Sequence, residues 1–296
     1  MIRRLFGDYE NRIAVGLVGH GSECFGFDDE TSCDHDFETG FCIWLTKSDE
    51  EKIGFALMRA YDKIREEYAL KNGIERARNS VGGSSFRGVF TIDDFYRRYT
   101  GTDGAPTTWQ DWFYTDSFYF AEATNGEVFT DALGDFTKIR NEILHGMPED
   151  VRIKKIASFA MKAAQSGQYN YARCLKHGED GAAMFALCEF VKSACEIAFL
   201  LEKQHMPYYK WALRKMRALE KFGSLAAPLE FLLVSDNDDA GKKVKRDIVE
   251  DVCAALAKEI CAQFDLNIEG NYLEPFAYAL QKRIKNADIR NLHIIL

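Results

Sequence analysis

The chain has 296 residues, 47% of them hydrophobic, 13% aromatic and 28% charged, with a formal net charge of −8. This composition excludes a disordered chain, and the length suffices for two domains that each bury a core. The acidic balance argues against a general nucleic-acid binder. No apolar run approaches the ~20 residues that span a bilayer, so a cytoplasmic protein without membrane contact is expected.

The first residues, Met1 to Glu10, lack the apolar core of a signal peptide, and residues 1–12 read as a short helix leading in. The eight cysteines are scattered with no Cys-x-x-Cys pair, as expected of buried free thiols in a reducing compartment. The run Ile13 to Val18 predicts a strand, and Phe37 to Leu45 predicts another. Between them lies a glycine turn, Gly19-His20-Gly21-Ser22, and an acidic loop ending in Asp34-His35-Asp36.

Asp49 to Asn72 places Ile53, Leu57, Tyr61, Ile64 and Tyr68 at helical spacing, with Asn72-Gly73 as its end. A glycine and serine patch, Val81 to Ser85, precedes a short strand, Gly88 to Ile92, and a helical turn, Asp93 to Tyr99. Thr100 to Thr108 reads as a loop and Trp109 to Thr124 as mostly helical. Asn125-Gly126 is a turn signal before the strand Glu127 to Asp131. From Phe136 onward strand signals fade, and 151–166, 179–204, 206–222, 241–265 and 272–285 follow helical periodicity. Gly181 to Leu201 is apolar almost all round and predicts the central helix of a bundle. Gly223 to Pro228 and Ser235 to Gly241 read as loops. The expected fold class is α+β: a first domain at 1–135 with a small mixed sheet flanked by helices, then an all-α bundle at 136–296.

The chemistry concentrates at the glycine turn. Asp34 and Asp36 are two apart, so in an extended segment both carboxylates leave one face and suit a shared hard cation. Gly21-Ser22 has little bulk to shield its backbone donors, so a phosphate can approach if the next residues open a helix. His35 points to the opposite face and reads as structural.

A Gly-Ser followed twelve residues later by Asp-x-Asp, between two strands, resembles the nucleotidyltransferase superfamily related to DNA polymerase beta. An N-terminal catalytic domain followed by a helix bundle is similar to the plan of aminoglycoside and lincosamide nucleotidyltransferases. Four further segments resemble the domain-of-unknown-function 4037 branch: Asn125 to Phe129, Gln165 to Arg173, Met206 to Trp211 and Leu292 to Ile294. The resemblance implies transfer of a nucleoside monophosphate, AMP first, from ATP or another nucleoside triphosphate to a hydroxyl of a small-molecule acceptor.

It further implies that Asp34 and Asp36 hold Mg2+ and that Gly21 and Ser22 bind β- and γ-phosphate oxygens. Lys210 would be a further phosphate contact, the alternative being a surface lysine over Trp211. Gln168, Asn170 and Arg173 would touch nucleotide or acceptor, the alternative being helix capping and interhelix hydrogen bonds. The superfamily also presents a third carboxylate, as metal ligand or general base, on a neighbouring strand. Gly88 to Ile92 holds no acid. Asp93 lies at its end, with Glu122 and Glu127 as more remote alternatives.

Competing readings remain. Cys24, Cys33, His20 and His35 fit no compact zinc knuckle, and the loop lacks the central glycine and final glutamate of a calcium-binding hand. Arg140-Asn141 with His145 resembles the ribonuclease motif of HEPN helical domains. A nucleotide-binding sensor that lost the third acid is the other alternative. Base preference, acceptor and oligomeric state are left open.

Overall fold

The structure is a computed structural model that describes residues 2–29, 40–73 and 86–295. Asp34, Asp36 and the Val81 to Ser85 patch lie outside the described residues. The chain divides into two units, Met1–Gly146 and Met147–Leu296.

In the first unit, α1 (Ile2–Leu5) and a 3-10 turn (Gly7–Arg12) lead into β1 (Ala14–Leu17). A second 3-10 turn (Ser22–Phe25) follows, then β2 (Cys42–Leu45), α2 (Lys47–Lys71), β3 (Gly88–Thr91) and α3 (Ile92–Thr100). The unit closes with α4 (Trp109–Tyr114), α5 (Ser117–Thr124), β4 (Glu127–Thr130) and α6 (Asp135–His145). The strands form a mixed sheet in the order β3-β2-β1-β4. β1 is antiparallel to both β2 and β4, whereas β2 and β3 are parallel. A parallel pair needs a crossover, and α2 lies in it.

All four residues of β2 are buried, as the continuous apolar run demands of a central strand. Alternation sends Ile43 and Leu45 to one face, where they pack with Ile13, Ile53, Leu57 and Tyr61. Trp44 points to the other face, stacked on Phe136 at 3.9 Å between centroids and edge-on to Phe95 at 5.2 Å. Phe136 belongs to α6, so α6 completes the first unit. The sequence expectation ended that domain at residue 135, one residue before the ring that fills its aromatic core.

The apolar stripe of α2 is only half used. Ile53, Leu57 and Tyr61 are buried, but Ile64 and Tyr68 are exposed. Four-residue strands span about 13 Å. A 25-residue helix runs about 37 Å. The last turns of α2 therefore extend past the sheet that buries the first ones.

The second unit is helical: α7 (Glu149–Ala163), a π-helical turn (Ala164–Asn170), α8 (Tyr171–Lys176), α9 (Asp180–Leu201) and α10 (Tyr209–Met216). It continues with α11 (Ala226–Val234), α12 (Asp239–Phe264), α13 (Leu273–Arg283) and α14 (Ala287–Arg290). α9 packs against α7, α8, α10, α11 and α12. Its C-terminal residues, Ser193 to Leu201, are buried all round, which makes it the central helix the sequence predicts. The α12 stripe of Val249, Val252, Leu256, Ile260 and Phe264 is buried as expected. α11 was not anticipated, because Pro228 marks a loop in the sequence. It is instead the third residue of α11, where the N–H it lacks would have no partner within the helix.

Candidate functional site at the glycine loop

β1 ends at Leu17, which pairs with Glu127 at the start of β4, and Gly16 pairs with Cys42 at the start of β2. β3 also starts here, because Gly88 pairs with Cys42. One end of the sheet therefore gathers the loop after β1, Phe86 and Arg87 before β3, and Asn125-Gly126 before β4.

The loop is built on two positive φ angles, +116° at Gly19 and +115° at Gly21. A Cβ at Gly19 would stand 2.6 Å from the Tyr99 hydroxyl, and one at Gly21 would run into the Glu23 carboxylate. Other residues hold the loop in place. The Asn125 side chain accepts from Gly19 N–H at 2.8 Å and donates to the Gly19 carbonyl at 2.7 Å. Arg140 in turn donates to the carbonyls of Asn125 (2.7 Å) and Gly126 (3.3 Å).

Arg87 is 2% exposed and donates from one amino group to the His20 carbonyl (2.7 Å), the Cys24 Sγ (3.0 Å) and the Glu23 carboxylate. Its other amino group donates to the Phe86 carbonyl at 3.1 Å. Burial pushes the Cys24 thiol up to about 12 and also raises Cys42 and Tyr99. All three groups are thus neutral across the physiological range.

His20 carries the loop's partly exposed functional group. Its Nδ1 lies 3.2 Å from Glu122 Oε1, and its ring lies against Phe86 at 4.5 Å between centroids. Glu122 is buried, whereas the His20 side chain is 38% exposed. A buried carboxylate behind a partly exposed imidazole fixes the ring orientation.

Ser22 donates its hydroxyl to Asp28 Oδ1 at 2.9 Å. Among the described residues, no hydrogen bond uses the backbone N–H of Gly21 or Ser22. The turn they open, Ser22–Phe25, is a single 3-10 turn and brings no long helix dipole.

Asp93 does not join this end. It opens α3 at the opposite end of the sheet, paired with Lys47 Nζ at 3.0 Å. Of the acids weighed for a third carboxylate, Glu122 reaches the loop with its carboxylate turned onto His20, and Glu127 is exposed on the edge strand β4. Arg140 spends donors on the turn before β4, while His145 is exposed at the last residue of α6.

The expected residues of the second unit face different ways. Gln168 donates to Glu250 (2.8 Å) and the Asn271 carbonyl (3.1 Å) and accepts from Leu273 N–H (3.0 Å), so it links helices. Asn170 and Arg173 are exposed, and Arg173 lies over the Tyr169 ring and donates to its hydroxyl at 3.2 Å. Lys210 is exposed with its Nζ 5.1 Å from the Trp211 ring, the snorkelling arrangement. Among the described residues, no group of three or more His, Cys, Asp or Glu side chains is arranged to hold a metal. No described helix is long and apolar enough to cross a membrane.

Sequence reasoning missed Arg87 and the clamp by Asn125 and Arg140. Arg87 has no local signal, since a lone arginine before a strand usually lies on the surface. Asn125-Gly126 was legible as a turn, but the target of its side chain, 106 residues away, was not.

Residues 112–212 match the family model described as "Domain of unknown function (DUF4037)". No curated protein and no solved structure matches the chain. The matched span includes Glu122, Asn125 and Arg140, which support the loop, and begins after the loop itself.

Proposed function

We propose that the chain is a Mg2+-dependent nucleotidyltransferase that moves a nucleoside monophosphate, AMP first, from a nucleoside triphosphate to a hydroxyl of a small-molecule acceptor. The observation that carries this reading is the rigid glycine loop at the end of β1. Its Gly21 and Ser22 N–H groups have no protein acceptor among the described residues, and it shares its sheet end with the chain that enters β2. Backbone donors on a pre-set loop suit phosphate oxygens. The sequence that precedes β2 carries Asp34 and Asp36, two hard oxygen donors of the kind magnesium prefers.

In this reading Asp34 and Asp36 hold the metal, which when bound neutralises charge on the triphosphate. Gly21 and Ser22 orient the β- and γ-phosphates. Asn125, Arg87 and Arg140 keep the loop in the binding shape. The test is calorimetry with Mg-ATP: the Asp34→Asn, Asp36→Asn double variant loses magnesium-dependent nucleotide binding, and unchanged binding ends the proposal.

A second reading is a nucleotide-binding sensor without turnover. It is favoured by the lack of an acid on β3 and by the pairing of Asp93 with Lys47 at the far end. Pyrophosphate release from ATP, GTP, CTP or UTP, with magnesium and a panel of hydroxyl acceptors, marks the enzyme. Binding without release marks the sensor.

A further inference from the structure

We propose that α10 and the segment leading into it form a binding surface for single-stranded nucleic acid, with Lys210, Arg214 and Arg217 on the phosphates and Tyr209 under a base. This surface is separate from the glycine loop and requires neither magnesium nor a nucleotide there. It starts from an uneven spread of charge. The second unit carries 22 Lys and Arg against 20 Asp and Glu, so the chain's excess of acids lies in the first. The net charge of the whole chain therefore does not describe the second unit. Within it, residues 203–219 hold five Lys or Arg and no Asp or Glu, interleaved with Tyr208, Tyr209 and Trp211. Basic residues mixed with aromatic ones suit a single strand, because its phosphates repeat along the backbone and every base offers a flat face.

The fold turns this stretch into one face. Ala212 and Met216 of α10 are buried, as are Met206 before it and Leu219 after it. Lys210, Arg214 and Arg217 stand at i, i+4 and i+7, opposite the buried pair, and all three are exposed. Arg217 keeps helical backbone angles, so the three cations line about 10 Å of helix. Ahead of them the Tyr208 and Tyr209 rings lie 4.3 Å apart between centroids and are 38% and 72% exposed. A large apolar ring left in water is a ready partner for a base.

The acids near this face are turned to other tasks. Glu202 spends its carboxylate on the backbone N–H groups of Glu220, Lys221 and Phe222, and Glu259 pairs with Lys221. Glu196 of α9 is buried. Glu230 of α11 pairs with Arg217 at 2.7 Å, with both side chains about half exposed. Such a pair contributes little in water, so a phosphate can take the place of Glu230. An anionic membrane suits the surface less well. A helix that lies on a bilayer inserts its apolar face, and the apolar face of α10 is buried in the bundle.

The experiment is fluorescence anisotropy of the full chain with labelled oligo(U) and oligo(dT) of about twelve nucleotides, without magnesium or nucleotide, from about 50 to 200 mM salt. The parent binds with a Kd of about 1 to 100 µM, more tightly as salt falls. Tighter binding of oligo(U) than of oligo(dT) assigns the surface to RNA, and equal binding assigns it to either strand. Replacing two phosphate contacts, in a Lys210→Gln, Arg217→Gln double variant, weakens binding about tenfold at low salt and lowers the log–log salt slope by about 1.4. Tyr209→Ala binds both strands about tenfold more weakly with the parent's salt slope, and binds heparin as the parent does.

All three replaced side chains are exposed, and an unchanged urea midpoint confirms that each variant is folded. A parent that binds neither strand at about 100 µM overturns the proposal, and so does a double variant whose titration overlays the parent. A Tyr209→Ala titration that overlays the parent reduces the surface to a general polyanion site and overturns the assignment to single strands. Binding to phosphatidylserine vesicles without binding to either strand assigns the surface to a membrane and overturns it as well. Mg-ATP does not enter these titrations, so this proposal and the nucleotidyltransferase reading fail separately.

Discussion

The two ends of the first unit's sheet solve the same problem, ordering polar loops around short strands, in opposite ways. At the glycine loop, one buried arginine and one asparagine amide satisfy backbone and side chain together, and Arg87 reaches three acceptors from a single amino group. At the far end, Lys47 pairs with Asp93 and, at 3.6 Å, with Asp103, while Arg97 bridges Asp94 and Asp103, all on partly exposed side chains. Exposed pairs contribute little because water screens them and their side chains lose entropy. A buried charge that loses its partner costs far more. The comparison teaches that order at the glycine loop depends on a few irreplaceable groups, whereas the opposite end tolerates change.

The sharpest way to break the contrast is Arg87→Met, which leaves Glu23 and the His20 carbonyl without their donor. We expect a loss of about 3–5 kcal/mol in urea unfolding, with loss of phosphate binding. Next is Gly19→Ala, which meets both the positive φ and the Tyr99 oxygen and costs about 2–3 kcal/mol. Adding Tyr99→Phe removes the oxygen but not the backbone strain, so the double variant recovers only part of that loss.

A middle case sits at the far end, where Asp49 is fully buried and receives hydrogen bonds from Arg12 (3.0 and 3.1 Å) and Thr46 (2.9 Å). Burial works to raise the Asp49 carboxyl, but Arg12 and Thr46 outweigh it and hold it below its ordinary value of 3.8. The unfolded chain therefore binds this proton first. The stabilisation is complete above about pH 4 and fades as pH falls through the lower, folded value. Asp49→Asn should cost about 1–2 kcal/mol at pH 7 and flatten the acid limb of a stability-versus-pH curve. Smallest of all, Asp93→Asn should change stability by less than about 0.5 kcal/mol and leave Mg-ATP binding as in the parent. A large effect on binding would mean that the far end takes part in the site.

Much of this was legible before any coordinates. The buried run of β2, the α12 stripe and the turn at Asn125-Gly126 follow from local spacing. That Lys210 can lie over Trp211 was also legible, since the two residues are neighbours in sequence. The roles of Gln168, Asn170 and Arg173 were not separable in advance. The π-helical turn that carries the first two shifts the helical phase, so Gln168 faces inward while Asn170 and Arg173 face solvent.

By itself the sequence determined most of the strands and helices and much of which side is buried, α11 and the exposed last turns of α2 excepted, because apolar periodicity is a local property of the chain. Only the tertiary structure decided that His20 meets Glu122, 102 residues away, that Asn125 grips Gly19, and that Asp93 stands at the wrong end of the sheet to join them. Those pairings follow from strand order and direction. They are set by how the whole unit buries its apolar faces at once, a choice that no short window of sequence contains.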